Sequence, residues 1–297
     1  MHVEHDIPVA PLTHYRIGGV AREVWFPETA SECAETLGSL EAAGIPYYIL
    51  GGGSNVLVGD GYWDGAVVVT SGMKQVTIGD AAIICGAGIE SSKIAELALA
   101  NGKTGLEFLY LLPGTIGGAI AGNARYDDVN VSDVLVSLDA CRPDGGIRTF
   151  AASDIRFAYK YTSIAKEGWI ILEATLAWRD GDPAAIRARM DDIEQKRNGS
   201  HHFDYPSAGC MFKNDHARNI QVGRLLDSLG MKGMRIGDAE IADFHANFFI
   251  NRGAATASDV LALLEMVERT VYEKTGAHLE REVRLEGAFG KKPRNGT

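Results

Sequence analysis

A cysteine in the C-terminal third of the chain stands where a turn of small residues ends. The segment reads Pro206-Ser207-Ala208-Gly209-Cys210 and continues with apolar residues, a lysine and an asparagine. An ordinary thiol has a pKa of about 8.5, so at neutral pH it can deliver a proton to a carbanion or an enol. The alternatives are an inert buried thiol and a covalent nucleophile, for which no His–Asn partner pattern is evident.

The other three cysteines give no sign of a disulfide framework or a metal site. Cys33, Cys85 and Cys141 are far apart in the sequence, without CxxC or Cys/His ligand spacing. We expect each of them to be a small buried apolar residue, and we expect no metal ion.

Two glycine-rich segments could bring the main chain close to a phosphate group. The first, Gly51-Gly52-Gly53-Ser54-Asn55, lies between two apolar strands, where successive glycines let N–H groups approach a ligand. No GK[ST] sequence follows, and no helix, so it is neither a Walker loop nor a GxGxxG motif. A flexible hairpin turn is the alternative.

The second segment, residues 113–119, reads PGTIGGA and continues to Gly122 and Asn123. Its glycines fall on one side of a helix predicted to begin near Thr115, whose N-terminus would be available to a diphosphate. Close packing of that helix on a sheet explains the same spacing. Because the chain has two such segments, a dinucleotide is the favoured ligand.

The charge distribution argues against a nucleic-acid or membrane partner. The formal net charge is −10, from 29 Lys and Arg against 39 Asp and Glu, although residues 196–235 hold seven cations and three acids, which suits a small polyanion. Solvated surface charge is the alternative for that window. Neither a membrane span of roughly 18 apolar residues nor a secretory signal is evident, so we expect a cytoplasmic protein.

Strands and helices alternate around these segments. Strands are predicted at 47–50, 66–70, 75–78, 81–85, 134–141 and 169–178, and helices at 31–43, 91–101, 183–196, 222–229 and 258–274. The last helix has an apolar stripe expected to be core: Val260, Leu263, Leu264, Val267 and Val271. We expect an α+β nucleotide-binding region over residues 1–200, with subdomains at about 1–70 and 71–200, and a smaller α+β domain over 201–297.

Three segments together resemble the FAD-binding motifs of the UDP-N-acetylenolpyruvoylglucosamine reductase family. They are THYRIGG at 13–19, LGGGSNVL at 50–57 and PGTIGGA at 113–119, in the family's order, and the likeness covers about residues 13–287. The resemblance implies the FAD-binding fold of the vanillyl-alcohol-oxidase (PCMH) type, followed by a substrate-binding domain. It implies a flavoenzyme of peptidoglycan precursor synthesis that uses FAD and NADPH to reduce a UDP-sugar enolpyruvate to UDP-N-acetylmuramate.

The resemblance also implies roles for single residues. Cys210 corresponds to the family's proton donor, usually a serine, and Glu282 to a catalytic glutamate; by spacing alone, the charges around Glu282 read as a solvated strand edge. Lys160 stands where the family has an arginine that binds the substrate carboxylate. The residues expected at the cofactor are Gly51, Gly52, Gly53, Ser54, Asn55, Pro113, Gly114, Thr115, Gly117, Gly118 and Asn123, and those expected at the substrate are Tyr159, Lys213, Asn214 and Arg224.

Two departures from the family pattern leave alternatives open. Lys160 keeps the positive charge but lacks the guanidinium fork that grips a carboxylate at two points, and Arg125, where the family usually has glycine, could supply the missing guanidinium. The alternatives are a divergent FAD oxidoreductase acting on another anionic substrate and an inactive flavin- or UDP-sugar-binding protein. The chain resembles the subclass without the tyrosine loop that closes over the substrate, and we expect a monomer.

Overall fold

The five helices predicted with both ends begin and end within a few residues of those positions in the computed structural model, which describes residues 2–144 and 146–290. The helix predicted near Thr115 begins at Ile116, and a short helix at Ser163–Lys166 was not predicted. Thr29 caps the first helix, with its side chain accepting the Glu32 N–H at 3.1 Å, because Thr29 has the extended backbone of an N-cap and the predicted cap, Ser31, already lies in the first turn. The helices are α1 Ala30–Ala42, α2 Ser91–Ala100, α3 Ile116–Ala121, α4 Ser163–Lys166, α5 Pro183–Gly199, α6 Val222–Ser228 and α7 Ala257–Thr275.

The strands are short, and most of their pairings are antiparallel. Those at 47–50, 134–141 and 169–178 confirm the sequence prediction to within one residue at each end. In chain order the strands are β1 His2–Pro8, β2 Val20–Phe26, β3 Tyr47–Leu50, β4 Val56–Val58, β5 Trp63–Val69, β6 Val76–Ile78, β7 Ala82–Gly86, β8 Lys103–Thr104, β9 Arg125–Tyr126, β10 Val129–Asn130, β11 Leu135–Cys141, β12 Ile147–Ala151, β13 Phe157–Ala158, β14 Tyr161–Thr162, β15 Ile170–Ala177, β16 Arg179–Asp180, β17 Ser207–Cys210, β18 Arg235–Ile236, β19 Ala239–Ile241, β20 Phe248–Asn251 and β21 Arg284–Glu286.

The chain divides into two units that each have an apolar core. Unit 1 consists of the described residues up to His5 together with 23–52 and 65–199, and unit 2 consists of 6–22, 53–64 and the described residues from 200 onward. The chain passes from unit 1 to unit 2 between residues 199 and 200, which is where the sequence predicted a domain boundary. Segments 6–22 and 53–64, which the sequence analysis placed in the N-terminal region, belong to unit 2 because β4 pairs in parallel with β21 and Tyr15 and Leu57 are buried in its core.

Unit 1 is built on an antiparallel sheet of order β12-β11-β15-β7-β6. In its centre β11 pairs with β15, with Leu138 opposite Ala174, and helix α3 packs on β15. Leu37 of α1, Ile94 of α2 and Ile120 of α3 are fully buried in the same core as the sheet. This core anchors the helix that follows the second glycine-rich segment.

Unit 2 packs helix α7 against a sheet of order β17-β20-β19-β18. The Thr256 hydroxyl accepts the Asp259 N–H, the Asp259 carboxylate accepts the Thr256 N–H, and Gly276 ends the helix with φ +70°. Asp60 adds a carboxylate that accepts the N–H groups of Ala257 and Ser258 at 2.7 and 2.8 Å, where the helix dipole favours negative charge. All residues of the predicted stripe are fully buried, which confirms it: Val260, Leu263, Leu264, Val267 and Val271.

Candidate active site

In unit 1 the two glycine-rich segments meet main chain to main chain. A Cβ on Gly52 would lie 2.6 Å from Cα of Gly114, and a Cβ on Gly51 would lie 2.8 Å from Oγ1 of Thr115. The first of these distances leaves room only for glycine, because the neighbouring atom belongs to the backbone. We call Gly51, Gly52, Gly114 and Thr115 the glycine cradle.

Thr115 carries an unsatisfied hydroxyl in this cradle. The residue is 4% exposed, and its Oγ1 has no hydrogen-bond partner among the residues that the structure describes. Burying a hydroxyl without a partner costs free energy, and an oxygen-rich group held in the cradle would remove that cost. The donor and the side-chain-free backbone therefore fit the diphosphate of a dinucleotide such as FAD.

The first turn of α3 does not offer all its N–H groups to a ligand. The Ile116 N–H donates to the Ile89 carbonyl at 2.9 Å, and the Gly117 N–H to the Ala87 carbonyl at 2.8 Å. A Cβ on Gly117 would lie 2.8 Å from Cβ of Ala87. The prediction that this helix end is available to a diphosphate is wrong for these two groups, since Gly117 serves close packing. Gly118, by contrast, would place its Cβ 3.8 Å from the Thr115 hydroxyl.

Asn123 braces the hairpin of β13 and β14. The residue is 7% exposed, its Oδ1 accepts the Ser132 N–H and its Nδ2 donates to the Ala158 carbonyl, both at 3.2 Å. The Thr162 hydroxyl adds a bond to the Ala121 carbonyl at 3.1 Å. The structure thus shows Asn123, predicted at the cofactor, as a residue that positions a hairpin.

Tyr159 and Lys160 form the two-residue turn of this hairpin, since Ala158 pairs with Tyr161. Lys160 has φ +53°, the left-handed region that costs a residue with a Cβ about 1–2 kcal/mol. The backbone alone would favour glycine at this position. Lysine is therefore an unfavourable residue for this backbone conformation. Strained residues of this kind often occur at functional sites.

Arg125 is engaged within its own hairpin and does not replace the guanidinium that Lys160 lacks. Its Nε donates to the Asp127 carbonyl at 2.6 Å, and a terminal nitrogen bonds the Asp128 carboxylate at 2.9 Å. The guanidinium closes its own hairpin of β9 and β10. The structure gives no support to Arg125 as a replacement for the arginine that Lys160 lacks.

In unit 2, Cys210 lies directly after a bulge in β17. Cys210 pairs with Phe248 of β20, but the register shifts between Ser207 and Cys210. Gly209 within the shift has φ +76°, a conformation that favours glycine and that is common in bulges near active sites. The thiol is half-buried, which leaves it accessible.

Main-chain pairing brings Glu282 beside this cysteine segment. The Glu282 N–H donates to the carbonyl of Met211, the residue after Cys210, at 2.8 Å. The Glu282 carbonyl in turn accepts Nδ2 of Asn55 at 3.2 Å. The main chain of Glu282 is therefore bonded to the residue that follows Cys210, and Asn55, predicted at the cofactor, braces Glu282.

Gly53 begins the unit 2 part of the first glycine-rich segment. It has φ +66°, and a Cβ there would lie 2.4 Å from the Leu12 carbonyl oxygen. Its carbonyl accepts the His14 N–H at 3.0 Å, and Ser54 follows half-buried. The glycine at 53 therefore allows the close approach of residues 12–14, the start of the first motif that resembles the family.

Asn247 is a positioning residue that no sequence pattern predicted. It is 3% exposed, its main-chain carbonyl accepts the Met211 N–H at 2.9 Å, and its side chain bonds Phe212. Its own N–H donates to Nδ1 of His245 at 3.2 Å. A buried asparagine one residue before a strand has no spacing signature, so only the fold reveals this function.

The predicted substrate-binding residues of unit 2 take part in local contacts. Lys213 pairs with Glu280 at 2.7 Å, and Oδ1 of Asn214 accepts the Val222 N–H at 2.9 Å at the start of α6. Arg224, on α6, lies beside an open cavity of about 390 Å³. The cavity is lined by Asn219, Ile220, Gln221, Arg224, Leu225 and Ser228.

Acids outside residues 196–235 offset part of the positive charge within that window. Glu280 pairs with Lys213, and Asp238 pairs with Arg235. A count along the chain misses these partners because they come from beyond its ends. The local excess of cations is therefore smaller in the folded unit than in the sequence.

The remaining cysteines are packing residues, as predicted. Cys33, Cys85 and Cys141 are each 0% exposed. Within residues 2–144 and 146–290 no group of three or more His, Cys, Asp and Glu is arranged to hold a metal ion. Over the same residues, no helix combines the length and apolar character needed to cross a membrane.

Two family models match the two glycine-rich segments and the Cys210 region in turn. A model described as an FAD-binding domain matches residues 21–151. The model of the C-terminal domain of UDP-N-acetylenolpyruvoylglucosamine reductase matches residues 201–286. The chain is thus a protein of mixed α and β structure with an FAD-binding domain, which confirms the predicted fold class and the FAD cofactor.

Relatives with known names define the family more narrowly. The chain is 35% identical over 285 residues to the UDP-N-acetylenolpyruvoylglucosamine reductase of Clostridium novyi (96% of this chain, 92% of the relative). It is 36% identical over 286 residues to that of Geobacillus kaustophilus (96% and 93%). The crystal structure of the Thermus caldophilus enzyme matches with a TM-score of 0.81 at 31% identity, covering 96% of this chain and 99% of that one. The chain belongs to the UDP-N-acetylenolpyruvoylglucosamine reductase family.

Proposed function

We propose that this protein uses FAD and NADPH to reduce the enolpyruvyl ether of UDP-N-acetylglucosamine enolpyruvate to the lactyl ether of UDP-N-acetylmuramate, with Cys210 as the acid. The observation that carries the proposal is the bond from the Glu282 N–H to the Met211 carbonyl. It holds a carboxylate-bearing residue beside the segment that presents the thiol, within the region that matches the family's C-terminal domain.

The glycine cradle would hold the FAD diphosphate in unit 1, and the Thr115 hydroxyl would find there the partner it lacks within the protein. Pro113 and Gly118 flank the cradle along the chain. Gly53, Ser54 and Asn55 of unit 2 remain predicted cofactor residues. Bound FAD would accept an electron pair from NADPH and supply it to the substrate double bond.

Cys210 would hold the proton that the substrate carbon takes up. A thiol is a weak enough acid to stay protonated at neutral pH and a strong enough one to protonate a carbanion or an enol. Glu282 would polarise the enolpyruvyl group as charge develops on it. The bulge before Cys210 and the bond from Glu282 to Met211 hold the main chain of these residues in place.

Lys160 would neutralise the substrate carboxylate as a point charge. An ammonium on a flexible stem binds a carboxylate without the two-point geometry of arginine. Tyr159, its neighbour in the turn, is 40% exposed and is proposed as a substrate contact. The expected cost of having lysine here is weaker orientation of the substrate, and catalysis without a guanidinium remains feasible.

Arg224, Lys213 and Asn214 would bind the UDP part of the substrate in unit 2. The open cavity beside Arg224 offers space for an anionic group. Lys213 already pairs with Glu280, so it would contribute through its positive electrostatic potential at the substrate and not through a direct bond. We also propose that the protein acts as a monomer in the cytoplasm, where NADPH is available; size-exclusion chromatography with light scattering tests the monomer.

Anaerobic spectroscopy of the purified flavoprotein tests the proposal. NADPH should bleach the flavin, and UDP-N-acetylglucosamine enolpyruvate should restore its colour. Cys210→Ala should bleach normally and fail to recolour, whereas Cys210→Ser should recolour because a hydroxyl can serve as the acid. Recolouring of Cys210→Ala at the wild-type rate would show the acid role to be wrong. Recolouring by another acceptor alone would show the substrate to be wrong.

A further inference from the structure

Cys210 and His202 are both neighbours of the Phe248 ring in unit 2. Cys210 lies opposite Phe248 in the pairing of β17 with β20, and it packs against the small apolar cluster that contains Phe248. The His202 ring stacks on Phe248, with centroids 4.7 Å apart and planes 8° from parallel. Opposite residues of an antiparallel pair have Cβ atoms about 5 Å apart. An imidazole and the thiol therefore share one aromatic neighbour.

We propose that His202 returns to Cys210 the proton that the thiol gives up in each turnover. The inference rests on the proposed function, in which Cys210 is the acid. Once the thiol proton has moved to the substrate carbon, Sγ carries a negative charge. The His202 imidazolium then gives an N–H proton to Sγ, directly or through one water, and the neutral ring takes a proton from solvent.

The reference acidities of imidazole and thiol groups allow this step. An unperturbed imidazole has a pKa of about 6.5 and a thiol about 8.5, so transfer from imidazolium to thiolate is favourable by roughly 100-fold. Imidazole also exchanges protons readily with water near neutral pH. The Ser200 hydroxyl lies 3.1 Å from Nδ1 of His202, so we assign the transferred proton to Nε2.

Three other titratable groups lie beside His202 in the fold or on its loop. The His245 ring lies 6.2 Å away, centroid to centroid, and burial lowers the pKa of His245, with a smaller effect of Lys232. On the same loop as His202, His201 pairs with Asp204 at 2.8 Å. His245 is thus biased to the neutral form and His201 is engaged with a carboxylate, which leaves His202 as the assigned source.

The approach to steady state in the His202→Phe variant tests the proposal. Phenylalanine is chosen because it keeps a flat ring against Phe248 and has no N–H group to donate. Holoenzyme with a protonated Cys210 is mixed with NADPH and UDP-N-acetylglucosamine enolpyruvate. We expect one product per active site at the wild-type rate, then turnover slower by roughly tenfold or more. Free imidazole in the buffer should speed the slow phase.

A second measurement does not depend on turnover. The other three cysteines are fully buried, so iodoacetamide added to folded holoenzyme reports on Cys210. The thiolate is the reactive form, and an adjacent imidazolium stabilises it. We expect the alkylation rate at neutral pH to fall several-fold in His202→Phe.

Two further variants complete the test. His202→Gln serves for both measurements where the phenylalanine variant fails to fold, and His201→Gln, a matched change on the same loop, should behave as wild type. A His202 variant that turns over normally without a burst, or is slowed equally in the first and later turnovers, overturns the relay. Substrate reduction by Cys210→Ala at the wild-type rate would instead overturn the acid role itself.

Discussion

The side chain of Asn247 bonds both main-chain polar groups of Phe212. Its Oδ1 accepts the Phe212 N–H at 3.0 Å, and its Nδ2 donates to the Phe212 carbonyl at 2.8 Å. Both residues are buried, at 3% and 1% exposure, so water cannot replace these bonds. The arrangement acts as a strand pairing made by a side chain, and it holds the backbone two residues after Cys210.

Asn247→Ala should therefore destabilise the protein by about 2–6 kcal/mol, because two buried main-chain groups lose their partners at about 1–3 kcal/mol each. Urea unfolding of the apoprotein measures the loss. Asn55→Ala is the control, since its exposed side chain makes one bond at 3.2 Å, to Glu282; its cost should stay below about 1 kcal/mol. Equal losses in the two variants would contradict the bracing role of Asn247.

His245 should make stability depend on pH. Burial and, less strongly, the charge of Lys232 lower the pKa of His245, and Nδ1 accepts the Asn247 N–H, so the folded state favours the neutral ring. Below about pH 6.5 the unfolded chain binds a proton there that the folded chain does not. This stability is present above pH 6.5 and lost as the pH falls.

Urea unfolding between pH 7.5 and 5 checks this in wild type and His245→Gln. The unfolding free energy of wild type should fall more steeply, by up to about 1.4 kcal/mol per pH unit, which is the limit for one proton. Parallel curves for the two proteins would mean that His245 titrates alike in both states.

Lys160→Gly should separate stability from activity. Glycine removes the left-handed strain of about 1–2 kcal/mol but adds about 0.4–1 kcal/mol of unfolded-state entropy, so stability should stay level or rise by up to about 1.6 kcal/mol. The substrate KM should rise because the charge is lost. Lys160→Ala keeps the backbone strain and loses the positive charge, whereas Lys160→Arg keeps the strain and the positive charge. An unchanged KM in Lys160→Gly and Lys160→Ala would exclude Lys160 from substrate binding.

Thr115→Val should weaken FAD binding without harming the apoprotein. Valine removes a buried hydroxyl that has no partner in the described part of the chain, so apoprotein stability should hold or increase. Loss of one hydrogen bond to the cofactor should raise the FAD dissociation constant by about tenfold. Fluorescence titration and thermal unfolding provide the two measurements.

Thr162→Val is the matched control for that prediction. Its hydroxyl is buried and donates to the Ala121 carbonyl at 3.1 Å, so its removal should destabilise the apoprotein by about 1 kcal/mol or more. A Thr115→Val apoprotein destabilised as much as Thr162→Val would mean that the Thr115 hydroxyl has a structural partner, and FAD binding at wild-type strength would remove it from the cofactor site.

Much of this protein is determined by residues close together in the sequence. The stripe of α7 and the long strands β11 and β15 follow from apolar periodicity, since a helix or strand repeats its buried face every few residues. The glycines at 51, 52 and 114 predict that the main chain comes close to a ligand or to another segment, and the family's motifs predict an FAD enzyme. These signals need only neighbouring side chains.

The tertiary structure decided which distant groups meet. The bond from Glu282 to Met211 and the pairing of β4 with β21 join main-chain atoms. Because every residue type has these atoms, no side-chain pattern predicts these contacts. Asn123 and Gly117, which stay predicted cofactor residues, show the same: the fold gives the Asn123 amide a hairpin to brace and gives Gly117 a close packing contact. Hydrogen-bonding partners far along the chain, and not residue type, set those roles.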